Sequence, residues 1–312
     1  MKYVKRILKI SGGLLLIAMV SLFIYAHTIR FRMSDEEFHE ALENDQTSVD
    51  IRYFDHDKGT VRAIWVDKDH DDLMILLHGS PSSSAQWVPM VNDSLLSQKV
   101  DFLLIDRPGY GYSSFGNPVL SVADVSKIIK EISDTYRGDY RQVYVLGTSY
   151  GGTVAARLLM DYPGYFKAGM LVSSSLAPGE EYTYPISYVM DQVPWFFPKF
   201  LMVANDEKLN HKEQLAAMQP LWGNIQDPLF FMHSTTDDLV YPANVDFALD
   251  RLSAELPVEV LWVPNAQHSM FWSDRELFLN NVNAFLDGNI SFRPLSQLKE
   301  AISVSSPVSG SK

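Results

Sequence analysis

The chain predicts an open α/β fold, a mostly parallel eight-stranded sheet with helices on both faces. Three observations carry that prediction. Six near-continuous apolar runs recur along the chain (Leu73–Leu77, Phe102–Ile105, Val143–Leu146, Ala168–Val172, Leu229–Met232 and Val258–Val263). Strands without polar alternation are buried on both faces, as in a parallel sheet clad by helices. Helix-length segments separate these runs. Ahead of them, Val49–Phe54 and Val61–Val66 alternate and are joined by Asp55-His56-Asp57-Lys58-Gly59, the pattern of an antiparallel hairpin.

The composition suits such a fold. Of 312 residues, 46% are apolar and 21% charged, enough for a large core. There is no cysteine, which excludes disulfides, thiolate metal sites and a cysteine nucleophile. The net charge is −12, but residues 1–32 hold six basic residues and no acidic one, leaving 20 basic against 38 acidic in the remainder. A body that acidic lacks the clustered Lys and Arg that a phosphate backbone rewards, so nucleic acid is not an expected partner.

Residues 1–32 read as an N-terminal membrane anchor. Ile10 to Ile29 is a run of 20 residues without Asp, Glu, Lys or Arg. About 20 such residues in a helix cross the hydrocarbon core. Lys2, Lys5, Arg6 and Lys9 precede the run and place the N-terminus in the cytoplasm, with the remaining chain on the other side. The competing reading is a signal peptide cleaved after Ala26, giving a secreted or periplasmic protein.

Residues 33–290 form the expected catalytic domain, opening with a polar helix, Ser34 to Leu42. Further helices are expected at Ala85–Leu96, Val122–Tyr136, Thr153–Asp161, Ala243–Leu256 and Arg275–Leu286. The stretch of about 175–227 is too long for a simple crossover. It is dense in aromatics and Met, Trp195 and Phe196 among them, and is expected to be a helical lid that lines a substrate pocket. From Ser291 to the end, apolar periodicity is lost and a disordered tail is expected. The acidic cluster Asp67, Asp69, His70, Asp71 and Asp72 lies between two strands and reads as a solvated turn, not a metal site.

Chemistry concentrates at strand ends. Val143–Leu146 runs into Gly147-Thr148-Ser149-Tyr150-Gly151-Gly152 and then directly into a helix. This is a G-x-S-x-G nucleophile elbow in its strand-turn-helix setting. The turn strains the serine backbone, leaves room only for small neighbours, and sets the hydroxyl at a helix N-terminus that favours negative charge. A serine needs a base, and His268 follows the last apolar run. The base needs a carboxylate, and the run Leu229–Met232 leads to Asp237 and Asp238.

The order Ser149, Asp237, His268, at intervals of 88 and 31 residues, resembles that of the α/β-hydrolase fold superfamily. The resemblance runs from Val49 to about Leu286. The superfamily's acid loop, Gly-x-x-Asp-x-hydrophobic-Val, matches Ser234 to Val240 with Ser234 in place of the glycine; it implies Asp237 as the acid and leaves Asp238 as the alternative. His78-Gly79-Ser80-Pro81 resembles the His-Gly-x-Pro oxyanion loop, implying that the N–H groups of Ser80 and Tyr150 hold the oxyanion and that His78 orders the loop. Asp106 to Ser113 resembles the Asp-x-x-Gly-x-Gly-x-Ser turn below the site. Ser149 at the elbow departs from the dehalogenases and epoxide hydrolases of this fold, which carry Asp there.

The expected activity is therefore esterase- or lipase-like hydrolysis of a small apolar carboxylic ester through an acyl-enzyme, without cofactor or metal. The same triad also serves amide, lactone, thioester and carbon–carbon hydrolysis, and perhydrolysis. A non-catalytic binding module on this fold is the reading from another class, and it typically lacks a triad member.

Overall fold

A computed structural model describes residues 2–180 and 182–305; some side chains of the first helix and those of residues 302–305 lie outside the description. Helix α1 (Lys2–Thr28) leads into α2 (Asp35–Leu42). A capping box opens α2: the Glu37 N–H donates to Ser34 Oγ at 3.2 Å and the Ser34 N–H donates to the Glu37 carboxylate at 2.6 Å. Strands β1 (Ser48–His56) and β2 (Gly59–Asp67) form the expected hairpin, with Val49 opposite Val66. There follow β3 (Asp72–Leu77), α3 (Val88–Val91), β4 (Asp101–Ile105), α4 (Val122–Arg137), β5 (Gln142–Thr148), α5 (Tyr150–Asp161) and β6 (Ala168–Val172). The insertion carries α6 (Ile186–Gln192) and α7 (Lys199–Met218). The chain then returns to β7 (Leu229–Ser234), α8 (Ala243–Leu249), β8 (Pro257–Val263), α9 (Met270–Ser273), α10 (Arg275–Leu286), β9 (Arg293–Pro294) and α11 (Leu295–Ser305).

The sheet order is β1-β2-β4-β3-β5-β6-β7-β8-β9. Pairing is parallel from β4 through β8 and antiparallel at both edges. Alternate residues of each central strand feed two cores. Leu73, Ile75 and Leu77 face Val125 and Ile129 of α4 and Val154 and Leu158 of α5. Met74 and Leu76 share the opposite core with Phe38 of α2 and with Val282 and Phe285 of α10. The β3-to-β4 crossing swaps the local order, so the loops after β3 and β5 meet at one end of the sheet. Ligands of open α/β sheets bind at such a switch point.

Three expectations need correction. The sheet has a ninth strand, β9, and it lies in the segment expected to be disordered from 291. Leu295 and Leu298 of the following helix are buried against the core, so this segment docks on the sheet; residues 306–312 lie outside the described residues. Ala85–Leu96 is one helical turn, α3, between two 3₁₀ turns. Pro89 suits only a first turn, and Asp93 Oδ1 accepts from the N–H groups of Leu95 and Leu96 at 3.1 and 3.2 Å, turning the chain.

The structure lends no support to the expected membrane anchor. Of residues 10–29, all but Ile29 lie in α1, but among the described residues no helix is long and apolar enough to cross a membrane. The side chains of Lys2, Lys5, Arg6 and Lys9 lie outside the described residues. Where α1 ends, the Phe23 ring meets Phe196 of the insertion at 5.3 Å.

Candidate active site

The elbow is enforced by contact. Ser149 has φ 52° and ψ −121°, a left-handed conformation that non-glycine residues adopt at a cost. Its N–H donates to Val172 O at 2.9 Å, which ties the strained residue to β6. A Cβ on Gly151 would lie 2.2 Å from Leu77 O, and one on Gly152 would lie 1.8 Å from Ser174 Oγ. Only glycine lets α5 approach β3 and β6 so closely.

Three side chains from three strand ends converge. His268 Nε2 lies 3.0 Å from Ser149 Oγ, and His268 Nδ1 lies 2.8 Å from Asp237 Oδ2. Asp237 is buried and its other oxygen accepts from the N–H groups of Leu239 and Val240 at 3.0 and 2.9 Å. Burial would push its carboxyl up. The His268 hydrogen bond and charge, with the two N–H donors, outweigh burial and hold it below the usual carboxylate range. Asp238, by contrast, is exposed. Of the two acids left open by the sequence, Asp237 is the one beside His268.

Gly79, just past the end of β3, sits against Ser149; a Cβ there would be 3.3 Å from Ser149 Cβ. This contact brings the Ser80 loop to the elbow. The Tyr150 N–H lies in the first turn of α5, where helix N–H groups have no partner within the helix.

Beneath the loop lies a buried network that sequence reasoning missed. Arg107 follows β4 and pairs with Glu207 of α7 at 2.5 Å, both nearly fully buried. Arg107 also donates to His78 O and Gly79 O at 2.9 and 3.0 Å, gripping the backbone of the His78–Pro81 loop. Tyr110 donates to Glu207 at 2.7 Å and its hydroxyl also meets Ser80 Oγ at 2.7 Å. His78 Nε2 accepts from the Arg107 N–H at 2.9 Å, and Nδ1–H donates to Gly79 O at 2.8 Å. Burial first, and the Arg107 charge second, hold His78 far below the ordinary histidine range, so it stays neutral and fully bonded. A buried Arg in the Asp106–Ser113 turn signals a buried partner; its position 100 residues away gave no signal in pattern.

Two cavities open on Ser149. One, of about 350 Å³, is roofed by the insertion and lined by Tyr182, Tyr184, Ile186, Met190, Leu201, Leu239 and Val240, with His211 and Ser175 deeper in. His211 is bonded to Ser175 Oγ at 2.8 Å, and burial, with the Lys208 and Arg107 charges, pulls its imidazole down to about 3. The other, of about 430 Å³, is lined by His268, Phe271, Trp272, Ser82, Gln86 and the linker residues Arg30–Met33. Ser80 lines both. Trp195 and Phe196, expected to line the pocket, line neither. They sit on a 3₁₀ turn on the outside of the insertion, Trp195 77% exposed, and Phe196 packs on Phe23 instead. Aromatic density drew attention to the insertion but did not tell its inner face from its outer.

Comparison with known proteins agrees with this geometry. The family described as the alpha/beta hydrolase fold matches residues 72–216. A pimeloyl-[acyl-carrier protein] methyl ester esterase of Proteus mirabilis is 32% identical over 102 residues, 33% of this chain and 36% of that protein. A proline iminopeptidase of Lactobacillus delbrueckii subsp. lactis is 24% identical over 123 residues, 39% of this chain and 42% of that protein. The chain thus spans about two fifths of the length of the curated relatives it matches. Among solved structures, a serine hydrolase from the hydrocarbon-degrading bacterium Cycloclasticus zankles superposes with a TM-score of 0.62 at 17% identity, covering 78% of this chain and all of the other (100%). The sheet order, the elbow and the matched segment agree on the α/β-hydrolase fold.

Proposed function

We propose that this protein is a serine hydrolase that cleaves a carboxylic ester through an acyl-enzyme. The observation that carries the reading is the unbroken chain Ser149 Oγ, His268, Asp237 at 3.0 and 2.8 Å. His268 takes the Ser149 proton as the hydroxyl attacks the carbonyl, and the N–H groups of Ser80 and Tyr150 donate to the developing oxyanion. The imidazolium, held by Asp237, then gives its proton to the leaving oxygen. Water, deprotonated by the same His268, hydrolyses the acyl-enzyme and restores Ser149.

The two cavities divide the substrate. A general acid must reach the leaving oxygen, so the leaving group occupies the cavity that His268 borders. The acyl chain then enters the insertion-roofed cavity, whose Ile186, Met190 and Leu201 favour an apolar chain and make the insertion a lid. Each methylene buried there contributes about 0.8 kcal/mol, so kcat/KM rises with chain length until about 350 Å³ is filled.

The test is a fluorophosphonate label on the purified protein, followed by a panel of esters, lactones and aminoacyl amides. The reading requires labelling that Ser149→Ala abolishes and ester turnover above that of the amides. Amide turnover exceeding ester turnover would move the assignment towards a peptidase, the activity named for one relative.

A further inference from the structure

The leaving-group cavity has an unusual wall. It is closed on one side by the linker between α1 and α2, residues Arg30–Met33, and continues past the linker into a cleft of about 530 Å³ reaching Lys199 of the insertion. Arg30, Phe31, Arg32 and Ser82 border both spaces. The charge of this surface is the reverse of the protein's. Residues 33–312 hold 20 basic against 38 acidic side chains. Yet the residues lining the two spaces include Arg30, Arg32 and Lys199 and no Asp or Glu.

The cations are also arranged for use. Arg32 is anchored: its guanidinium lies 4.6 and 4.4 Å from the ring centres of Tyr112 and Phe115, and it donates to Gly111 O at 3.3 Å. Two faces of one charge are thus occupied by the protein, which fixes the linker to the Asp106–Ser113 turn. Arg30, two residues earlier, is exposed at the boundary of both spaces, and Lys199, across the cleft, is exposed too. A guanidinium presents a planar fork of donors that matches a phosphate better than a point charge does. In a chain of net charge −12, a cation-lined cleft at the catalytic serine also attracts anions from solution against the general field.

Resting on the division of the site proposed above, we infer that the ester's leaving group is an alcohol bearing a phosphate-class anion, bound by Arg30 with Lys199 and Arg32 around it. The chemistry needs no additional reactant. The acyl–oxygen bond breaks, the His268 proton goes to the alcohol oxygen, the phosphorylated alcohol leaves through the cleft, and water later takes the acyl group.

The experiment uses the full chain and a matched pair of substrates, the butyryl esters of glycerol and of glycerol 3-phosphate. The expected result is a kcat/KM for the phosphate ester higher by about tenfold or more, the equivalent of one charge-assisted hydrogen bond, and expressed chiefly in KM. Added salt lowers the preference, Arg30→Lys keeps part of it, Arg30→Ala brings the ratio towards one, and Arg30→Glu inverts it. A third arm presents vesicles of a diacyl phosphoglyceride. Arg30-dependent turnover of vesicles assigns the anion to a lipid headgroup, and turnover of the soluble ester alone assigns it to a free phosphorylated alcohol. Equal kcat/KM for the matched pair, or a ratio that Arg30→Ala leaves in place, overturns the inference while ester hydrolysis stands. Absence of any Ser149-dependent ester cleavage overturns both.

Discussion

The two walls of the active site are built on different principles. The sheet side is held by backbone. Ser149 hangs on a strained turn bonded to Val172, and Gly151 meets Leu77 O with no room for a side chain. The insertion side is held by side chains: Met190, Leu201 and His211 face the cavity from α6 and α7, while Trp195 and Phe196 of the same stretch face outward. One charge pair, Arg107 with Glu207, joins the two walls. A wall fixed by backbone geometry tolerates few residue types and so leaves a pattern in sequence. A wall fixed by side-chain packing accepts many, and its sequence carries composition without orientation.

That contrast can be broken at several points. On the sheet side the largest effect is expected from the nucleophile. Ser149→Ala reduces kcat by roughly three to six orders of magnitude with Tm nearly unchanged, and adding His268→Ala costs little more, because triad members act as a unit. Additive losses in single and double variants would show that the two side chains do not share one step.

Next in size is the acid. Asp237→Asn lowers kcat by on the order of 10³–10⁴, since an amide cannot hold the imidazole in the required tautomer, whereas Asp238→Asn stays within about twofold of the parent. The reverse ranking in steady-state assays would move the acid by one residue.

At the junction of the walls, Glu207→Gln leaves the Arg107 guanidinium buried without its counter-charge. Thermal or urea unfolding is expected to register a loss of about 3–5 kcal/mol, with the oxyanion loop loosened and kcat lowered as well. A loss of activity at unchanged stability would point to contact between Glu207 and substrate instead.

Acid tests the insertion's packing by another route. His211 is buried with its imidazole pulled down to about 3, whereas in the unfolded chain it binds a proton near its ordinary value of 6.5. Between those values the unfolded state holds more protons, so stability is complete above about 6.5 and is lost as pH falls towards 3. Replacing His211 with Asn is expected to flatten that part of the Tm-against-pH curve; a curve of unchanged slope would remove His211 as a contributor.

The smallest effect separates the two faces of the insertion. Met190→Ala is expected to shift acyl-chain preference by several fold towards longer chains, while Trp195→Ala leaves the chain-length profile in place. A shift with Trp195→Ala would mean that the outer turn folds over the substrate.

How far the sequence could be read follows the same division. Eight strands, the hairpin and the antiparallel edge were legible because burial on one or two faces forces a period on the residues. Gly147, Gly151 and Gly152 made the elbow legible because steric exclusion admits one residue type. The order of Ser149, Asp237 and His268 pointed to the three side chains that meet at the strand ends. Asp237 and Asp238 were not separable, because only the Leu239 and Val240 N–H groups, folded back on Asp237, decide which carboxylate turns inward. β9 was missed since two residues, Arg293–Pro294, are too few to show a period.

Alone, the sequence determined the α/β sheet, the elbow and the three side chains proposed for acyl transfer, because each depends on local patterns of burial or backbone strain. Only the tertiary structure decided which side chains of the insertion meet Ser149, that Arg107 and Glu207 meet 100 residues apart, and that the linker at Arg30 closes the cavity beside His268. Those contacts join segments with no shared periodicity, so no local regularity records them, and folding alone brings them together.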